Sequence, residues 1–126
     1  MEAIYGQSGS VVAWIYEQVR FYDLSGRVVG WLHGDESDSY RPVYGIDGSH
    51  RGFLQDSGLF RDVDGSVVAF LAGASGGPPK PPRNPRPPQP SRYPTPPRAP
   101  RRPRNPRAAS SPTWSTKSFL GFMGNG

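Results

Sequence analysis

The peptide VVAWI at residues 11–15 decides the fold, because three later segments repeat its pattern: VVGWL at 28–32, HRGFL at 50–54 and VVAFL at 67–71. Each copy begins two residues after a glycine and places a small, an aromatic and an aliphatic residue in the same order. Repetition at this short period is typical of one supersecondary unit whose copies bury one another. We therefore interpret the first 74 residues as four copies of a single unit.

Each unit is predicted to be a β-hairpin. The glycines that precede the copies, Gly9, Gly26, Gly48 and Gly65, each follow a serine or an aspartate. Ser-Gly and Asp-Gly pairs favour the positive φ angles of tight turns. The 17-residue unit is too short for a four-stranded propeller blade, which takes about 40 residues. We expect an all-β fold in which four hairpins, with about eight short strands, form a shallow barrel around a pseudo-fourfold axis.

The second strands of the first and fourth units, at 11–15 and 67–71, are apolar on both faces, so we expect them to be covered on both faces. The small residue within each second strand predicts that a neighbouring backbone or ring approaches closely, most of all at Gly30 and Gly52. The aromatic column consists of Trp14, Trp31, Phe53 and Phe70. We assign this column to a shared interior, and the alternative is a stacking platform for nucleic-acid bases.

These columns resemble the bacterial four-fold β-flower domain. The resemblance is carried by GSVVAWI at 9–15, YDLSGRVVGWL at 22–32, GSHRGF at 48–53 and RDVDGSVVAF at 61–70. It implies four hairpin petals around a central axis, often joined to low-complexity or membrane-associated segments. It implies no settled activity, so no catalytic residue is carried over.

The chain divides sharply by composition. Fifteen of the 16 prolines lie between residues 77 and 112, and all ten acids lie before residue 77. A Pro- and Arg-rich stretch cannot bury enough apolar surface to fold, and it favours extended polyproline II. We predict three parts: a β-flower domain at 1–74, a disordered basic linker at 75–112 and a short apolar docking segment at 113–126.

The linker carries cations that we expect to contact a partner electrostatically. They are Lys80, Arg83, Arg86, Arg92, Arg98, Arg101, Arg102, Arg104 and Arg107. Cations without intervening acids attract nucleic-acid phosphates or anionic lipid headgroups, with a strong dependence on salt. The first 76 residues, with five arginines against ten acids, are a competing intramolecular partner for the same charges.

The C-terminal segment regains apolar character. Its large apolar residues are Trp114, Phe119, Leu120, Phe122 and Met123. A helical turn would present several of them together, although Gly121 and Gly124 weaken a helix. We interpret this segment as a docking peptide for a protein partner, for a bilayer surface or for the flower itself.

The third and fourth units depart from the pattern and supply candidate ligand-binding residues in the barrel. His50 and Arg51 replace the valine pair, and Arg61 replaces the petal tyrosine beside Asp62. Together they offer donors and acceptors for an anionic or polar ligand near the axis, and histidine titrates near neutrality. The structural alternative is that His50 caps a turn or pairs with an acid such as Asp62 or Asp64.

Several classes of function are not supported. Cysteine is absent, which leaves neither disulfides nor thiolate metal sites. His33 with Asp35, Glu36 and Asp38 matches no hard-cation loop, so we expect a solvated loop and no metal or other cofactor. No nucleophile motif is present, and we predict that the protein is not an enzyme. Without a signal peptide or an apolar run that would span a bilayer, we expect a cytoplasmic protein, with peripheral membrane association as an alternative.

The leading hypothesis is a non-enzymatic interaction or scaffold module. The β-flower domain would bind a partner or ligand, and the basic linker and docking segment would add further contacts. The alternatives are nonspecific nucleic-acid binding through the Arg-rich linker and peripheral association with anionic membrane. The partner's identity and the oligomeric state are left open.

Overall fold

The computed structural model describes residues 1–124 and contains eight antiparallel strands that close into a barrel. The strands are β1 Glu2–Tyr5, β2 Val11–Tyr16, β3 Arg20–Tyr22, β4 Val28–Leu32, β5 Tyr40–Gly45, β6 His50–Gln55, β7 Leu59–Asp62 and β8 Val67–Leu71. They follow one another around the barrel in chain order, and β1 pairs with β8 to close it. One short helix, α1 Phe119–Phe122, completes the described elements. The all-β barrel of four hairpins is confirmed.

The four hairpins share their turn geometry. The tip glycines have φ angles of 86°, 93°, 84° and 89°, which only glycine adopts readily. Each hairpin also carries a register shift near its tip, for example between Ile4 and Tyr5 opposite β2. This irregularity interrupts the alternation of side chains, so that the consecutive residues Val68 and Ala69 both pack inside the barrel, whereas Val67 packs outside.

The barrel interior is filled by side chains from both strands of each hairpin and by α1. The first strands contribute Ile4, Phe21, Val43 and Phe60. At the centre, the rings of Phe21, Phe60 and Phe119 meet edge to face, with centroid separations of 5.5–5.9 Å. Because Phe119 belongs to α1, the C-terminal segment is part of the core.

Close approach at the small-residue column is confirmed. A β-carbon on Gly52 would lie 2.7 Å from Cε1 of Phe122 and would overlap the carbonyl oxygen of Arg61. A β-carbon on Gly30 would overlap Cε of Met123 and the carbonyl oxygen of Tyr44. The glycines therefore make room both for the neighbouring strand and for α1.

The aromatic column is buried in the core, as expected, but its rings lie on the outer face of the barrel and not around the axis. Trp14 and Phe70 are buried in an outer cluster with Tyr5 and Tyr22, and the rings of Tyr5 and Phe70 stack at 5.6 Å. Side chains alternate across a strand, so the residue after an inward-facing alanine or glycine faces outward. With both faces apolar, the sequence pattern does not distinguish the inner face from the outer one.

The segment expected to be a detached, disordered linker instead lies along the outside of the barrel. It contacts the tips of the first, second, third and fourth hairpins in that order. This second circuit covers the outer aromatic residues, which would otherwise face water, and it leads into α1. The division at 1–74, 75–112 and 113–126 therefore describes composition, since the described residues of all three parts contact one another. Residues 125 and 126 of the docking segment lie outside the described residues.

The part of the chain that the structure describes has no helix with the length and apolar character needed to cross a membrane.

Candidate functional site

The outer circuit consists of four nonapeptides, which we call the belt (residues 81–116). Backbone N–H groups of the belt donate to the carbonyl oxygens of the four tip glycines at 2.9–3.0 Å. The donor–acceptor pairs are Asn84 with Gly9, Tyr93 with Gly26, Arg102 with Gly48 and Ser111 with Gly65. The donors are nine residues apart throughout, so each hairpin tip holds one nonapeptide.

The same period is present in the sequence, where the density of prolines hides it. The nonapeptides read PPRNPRPPQ (81–89), PSRYPTPPR (90–98), APRRPRNPR (99–107) and AASSPTWST (108–116). Each has proline at its fifth position, directly after the residue that donates to the tip. Proline restricts the preceding residue to an extended conformation, which suits a chain running along a surface. Proline at intervals of nine is the signal by which reasoning from the sequence could have found the repeat.

The tip glycines serve the belt as well as the turns. A β-carbon on Gly9, Gly26, Gly48 or Gly65 would overlap the belt carbonyl oxygen of Pro82, Ser91, Pro100 or Ala109, respectively. These contacts again lie nine residues apart. Glycine is therefore required at each tip for two reasons, a positive φ angle and the close passage of the belt.

Five belt arginines rest on aromatic rings of the barrel. The distances from guanidinium carbon to ring centroid are 5.6 Å for Arg83 on Tyr5, 3.8 Å for Arg92 on Tyr16, 4.3 Å for Arg98 on Trp31, 6.0 Å for Arg101 on Tyr44 and 3.9 Å for Arg107 on Tyr40. Such contacts contribute about 0.5–1 kcal/mol each at exposed positions. These arginines are therefore both solvent-exposed and held in place.

His50, predicted as a ligand residue, holds the belt. Its Nδ1 accepts the backbone N–H of Asn105 at 3.0 Å, and the Asn105 amide donates to the His50 carbonyl oxygen at 3.3 Å. The ring lies between Tyr44 and Phe53 on the outer face, away from the axis. Burial is the main cause that lowers the pKa of His50, so the imidazole is neutral at pH 7 and keeps Nδ1 as an acceptor.

Arg61 and Asp62 hold the end of the belt. The Arg61 side chain donates from Nη1 to the carbonyl oxygens of Gly65 and Ser111, at 2.6 and 2.8 Å. Asp62 is buried and forms an ion pair with Lys117 at 2.9 Å. Arg61 thus takes the place of a petal tyrosine and binds the belt by hydrogen bonds.

Arg51 has its ion-pair partner within its own hairpin, and its guanidinium also lies against the C-terminal segment, where a β-carbon on Gly124 would overlap Nη2. It pairs with Asp47 at 3.3 Å at the tip of the third unit. Hydrogen bonds from Ser49 are the main cause that lowers the pKa of Asp47, which favours the ionised partner. The four predicted residues therefore do not form one site, because His50, Arg61 and Asp62 each contact a different part of the belt or its extension.

The predicted docking residues contact the barrel itself, which was one of the three alternatives. Trp114 packs near Phe70, and its neighbours Thr113 and Ser115 exchange backbone hydrogen bonds with Val67 at 2.9 and 2.7 Å. Phe119, Phe122 and Met123 are buried in the interior, and Leu120 is half-buried against it. These side chains are occupied within the molecule and do not form a free docking surface.

The charge distribution sets the belt apart from the barrel. The nine cations of the predicted linker are exposed, apart from half-buried Lys80, and no acid follows Asp64 in the chain. Acids at the hairpin tips are engaged locally, as where Asp23 accepts the Ser25 N–H at 2.9 Å and Asp64 accepts the Ser66 N–H at 2.9 Å. Three of the four nonapeptides of the belt therefore carry positive charge and no acid, and they pass beside hairpin tips whose exposed acids include Asp47 and Asp64.

The barrel end around Gln18 holds a smaller feature that the sequence did not indicate. Arg41 is 8% exposed and donates to the carbonyl oxygens of Gln18, His33 and Gly34 at 3.0–3.2 Å. A cavity of about 150 Å³ beside it is lined by both apolar residues and acids, including Leu54 and Asp56. The Arg41 guanidinium donates its hydrogen bonds to these backbone carbonyls, so it holds together the loops at this end of the barrel.

Comparison with known proteins identifies a family but no individual relative. A family model described as "4-fold beta flower protein" matches residues 2–123, which include the belt and α1 as well as the barrel. No curated protein and no solved structure matches the chain.

Proposed function

This chain belongs to the 4-fold beta flower protein family, and we propose that it is a non-enzymatic module that binds single-stranded nucleic acid through its belt. Family membership accounts for the fold and carries no activity. The observation that supports the proposal is the series of exposed, positioned guanidinium groups along an acid-free segment.

Positioned arginines suit phosphate binding. A guanidinium that lies flat on a ring keeps its N–H edges available for the two oxygens of a phosphate. Groups already held in place lose less conformational entropy on binding than free side chains do. A flexible Arg-rich tail would also attract phosphates, but it would lose more conformational entropy for each contact that it forms.

The shape of the belt favours a flexible polymer over a flat surface. The belt contacts all four hairpin tips of a closed barrel, and its cations lie on the first three of its four nonapeptides, so they follow most of the circuit around the axis. A planar bilayer reaches only one side of such an arc, whereas a single strand can follow its curve. Membrane association also requires Trp114, Phe119 and Phe122 to insert, and the last two are buried in the barrel. Nucleic acid is therefore the preferred anionic partner.

The scaffold hypothesis is weakened because its proposed docking peptide is buried in the barrel. In that hypothesis the docking peptide is the C-terminal segment, where Phe119, Phe122 and Met123 fill the barrel interior. A protein partner would have to recognise the belt or the barrel ends.

The test is a fluorescence-anisotropy titration of the full chain with a labelled 30-nucleotide single strand at several salt concentrations. If the five ring-stacked arginines each neutralise one phosphate, log K falls with log [salt] with a slope of about −3.5. Arg107→Gln should weaken binding and make that slope shallower by about 0.7. Arg51→Gln, which removes one charge at a hairpin tip, is the matched control and should change the slope little. Absence of binding, or binding without dependence on salt, would refute the proposal.

A further inference from the structure

A cavity of about 370 Å³ lies between the barrel at strands β4 and β5 and the belt at residues 98–101, where the second nonapeptide meets the third. Its main lining residues are Trp31, His33, Tyr44, Arg98, Pro100 and Arg101. The volume falls within the range of small-molecule sites in proteins, about 300–1,000 Å³. The walls therefore combine aromatic rings from the barrel with arginines from the belt.

The polar groups of this cavity are hydrogen-bond donors. Arg101 Nη1 lies 3.3 Å from Nδ1 of His33. Burial, followed by the charges of Arg101 and Arg98, lowers the pKa of His33 to about 4, so the ring is neutral at pH 7. With Nδ1 facing a guanidinium, the proton of the neutral ring resides on Nε2, which becomes a further donor. None of the described residues that line the cavity is an acid.

The aromatic wall is closely packed. Trp31 is 4% exposed, and its indole Nε1 is buried without a hydrogen-bond partner among the described residues. Because this atom has no solvent contact, it does not open into the cavity, and Trp31 contributes ring surface to the wall. The Arg98 guanidinium covers this ring at 4.3 Å and offers its own plane to a further flat group.

We propose that this cavity is a nucleotide subsite, in which Arg98 and Arg101 bind the phosphate and the aromatic and guanidinium planes bind the base. A phosphate monoester matches donors without acids, and a base matches flat apolar walls. The inference deepens the proposed nucleic-acid binding and rests on it, because the same cavity would hold one nucleotide of a bound strand.

The belt repeat supplies matched controls. Arg107 follows Arg98 by nine residues and lies 3.9 Å from the Tyr40 ring, and Arg92 precedes Arg101 by nine and lies 3.8 Å from the Tyr16 ring. Each control arginine is exposed, rests on a tyrosine and carries the same charge as its counterpart in the cavity. His33 and Trp31 are absent from both control positions.

The experiment is isothermal titration calorimetry of the full chain with adenosine monophosphate, adenosine and inorganic phosphate at low salt. We expect one molecule of the monophosphate to bind per chain, and adenosine and phosphate each to bind at least about tenfold more weakly, since each lacks half of the contacts. Arg98→Gln and Arg101→Gln should each weaken the monophosphate at least about tenfold, and Arg107→Gln and Arg92→Gln less than about twofold.

A second readout needs no belt variant. In ¹H–¹⁵N spectra of the unaltered chain, the indole signal of Trp31, assigned with Trp31→Phe, should shift on addition of the monophosphate. The signals of Trp14 and Trp114 should stay in place. This measurement stands even if loss of an arginine loosens the belt.

Four outcomes would overturn the inference. Equal weakening by all four arginine variants would mean charge attraction along the whole belt, and inorganic phosphate binding as tightly as the monophosphate would mean an anion site without base recognition. A chain that binds the 30-nucleotide strand but not the monophosphate would refute the subsite and leave the proposed function intact. Loss of binding to both would refute the proposed function as well.

Discussion

Replacement of Gly48 by alanine tests whether the belt rests on the hairpin tips. Gly48 has a φ of 84°, its carbonyl oxygen accepts the Arg102 N–H at 2.9 Å, and a β-carbon there would overlap the carbonyl oxygen of Pro100. Gly73 is the matched control, because its φ is 78° and a β-carbon there meets nothing within 4 Å. An alanine at either position is strained by the positive φ angle, but only an alanine at Gly48 would also clash with the belt.

The expected free-energy costs separate clearly. An alanine in the left-handed region costs about 1–2 kcal/mol, and Gly73→Ala should lose no more than that. At Gly48 the clash adds about 1–3 kcal/mol of overpacking, and the lost hydrogen bond adds about 1 kcal/mol. We therefore expect Gly48→Ala to lower the free energy of unfolding by about 3–6 kcal/mol, unless the belt detaches locally and relieves the clash.

Two assays distinguish these responses. Urea denaturation followed by tryptophan fluorescence gives the free energy of unfolding of both variants. Limited trypsin digestion reports detachment of the belt, since Gly48→Ala should speed cleavage after Arg98 and Arg101, which flank Pro100. If the two alanine variants lose equal stability and show equal cleavage, the contact between belt and tip does not stabilise the protein and the reasoning is refuted.

Two further predictions concern pH and the helix. His33 and His50 both have pKa values lowered in the folded state, so the unfolded chain binds more protons below its histidine pKa of about 6.5, and stability should fall from pH 7 to pH 5. Urea midpoints across that range should flatten in a His33→Asn, His50→Gln variant, and an unchanged slope would contradict the assignment of neutral buried imidazoles. Phe119→Ala should lower the free energy of unfolding by about 3–5 kcal/mol, because the ring fills the barrel centre, whereas half-buried Leu120→Ala should cost markedly less. Equal urea midpoints for these two variants would mean that α1 does not enter the barrel.

The candidate residues show where reasoning from one sequence stops. The repeat pattern itself marks His50, Arg61 and Asp62 as departures, but their partners lie far along the chain. His50 meets Asn105 55 residues away, and Arg61 meets Ser111 50 residues away. Spacing in a sequence does not define such distances, because they depend on how the second circuit follows the first.

Local physics was sufficient for the hairpins. A glycine before a β-branched pair sets a tight turn, and alternating apolar residues set a strand, so the repeat alone determined four hairpins and a closed all-β architecture. The repeat also determined that both faces of these strands must be buried. Only the tertiary structure shows that the belt buries the outer face. Polyproline II has no internal hydrogen bonds, so the path of the belt depends on its contacts with the barrel surface. Four extended nonapeptides span about 110 Å, enough for one circuit of the barrel with its aromatic layer. The hairpin tips fix that path, and the position of the arginines follows from it.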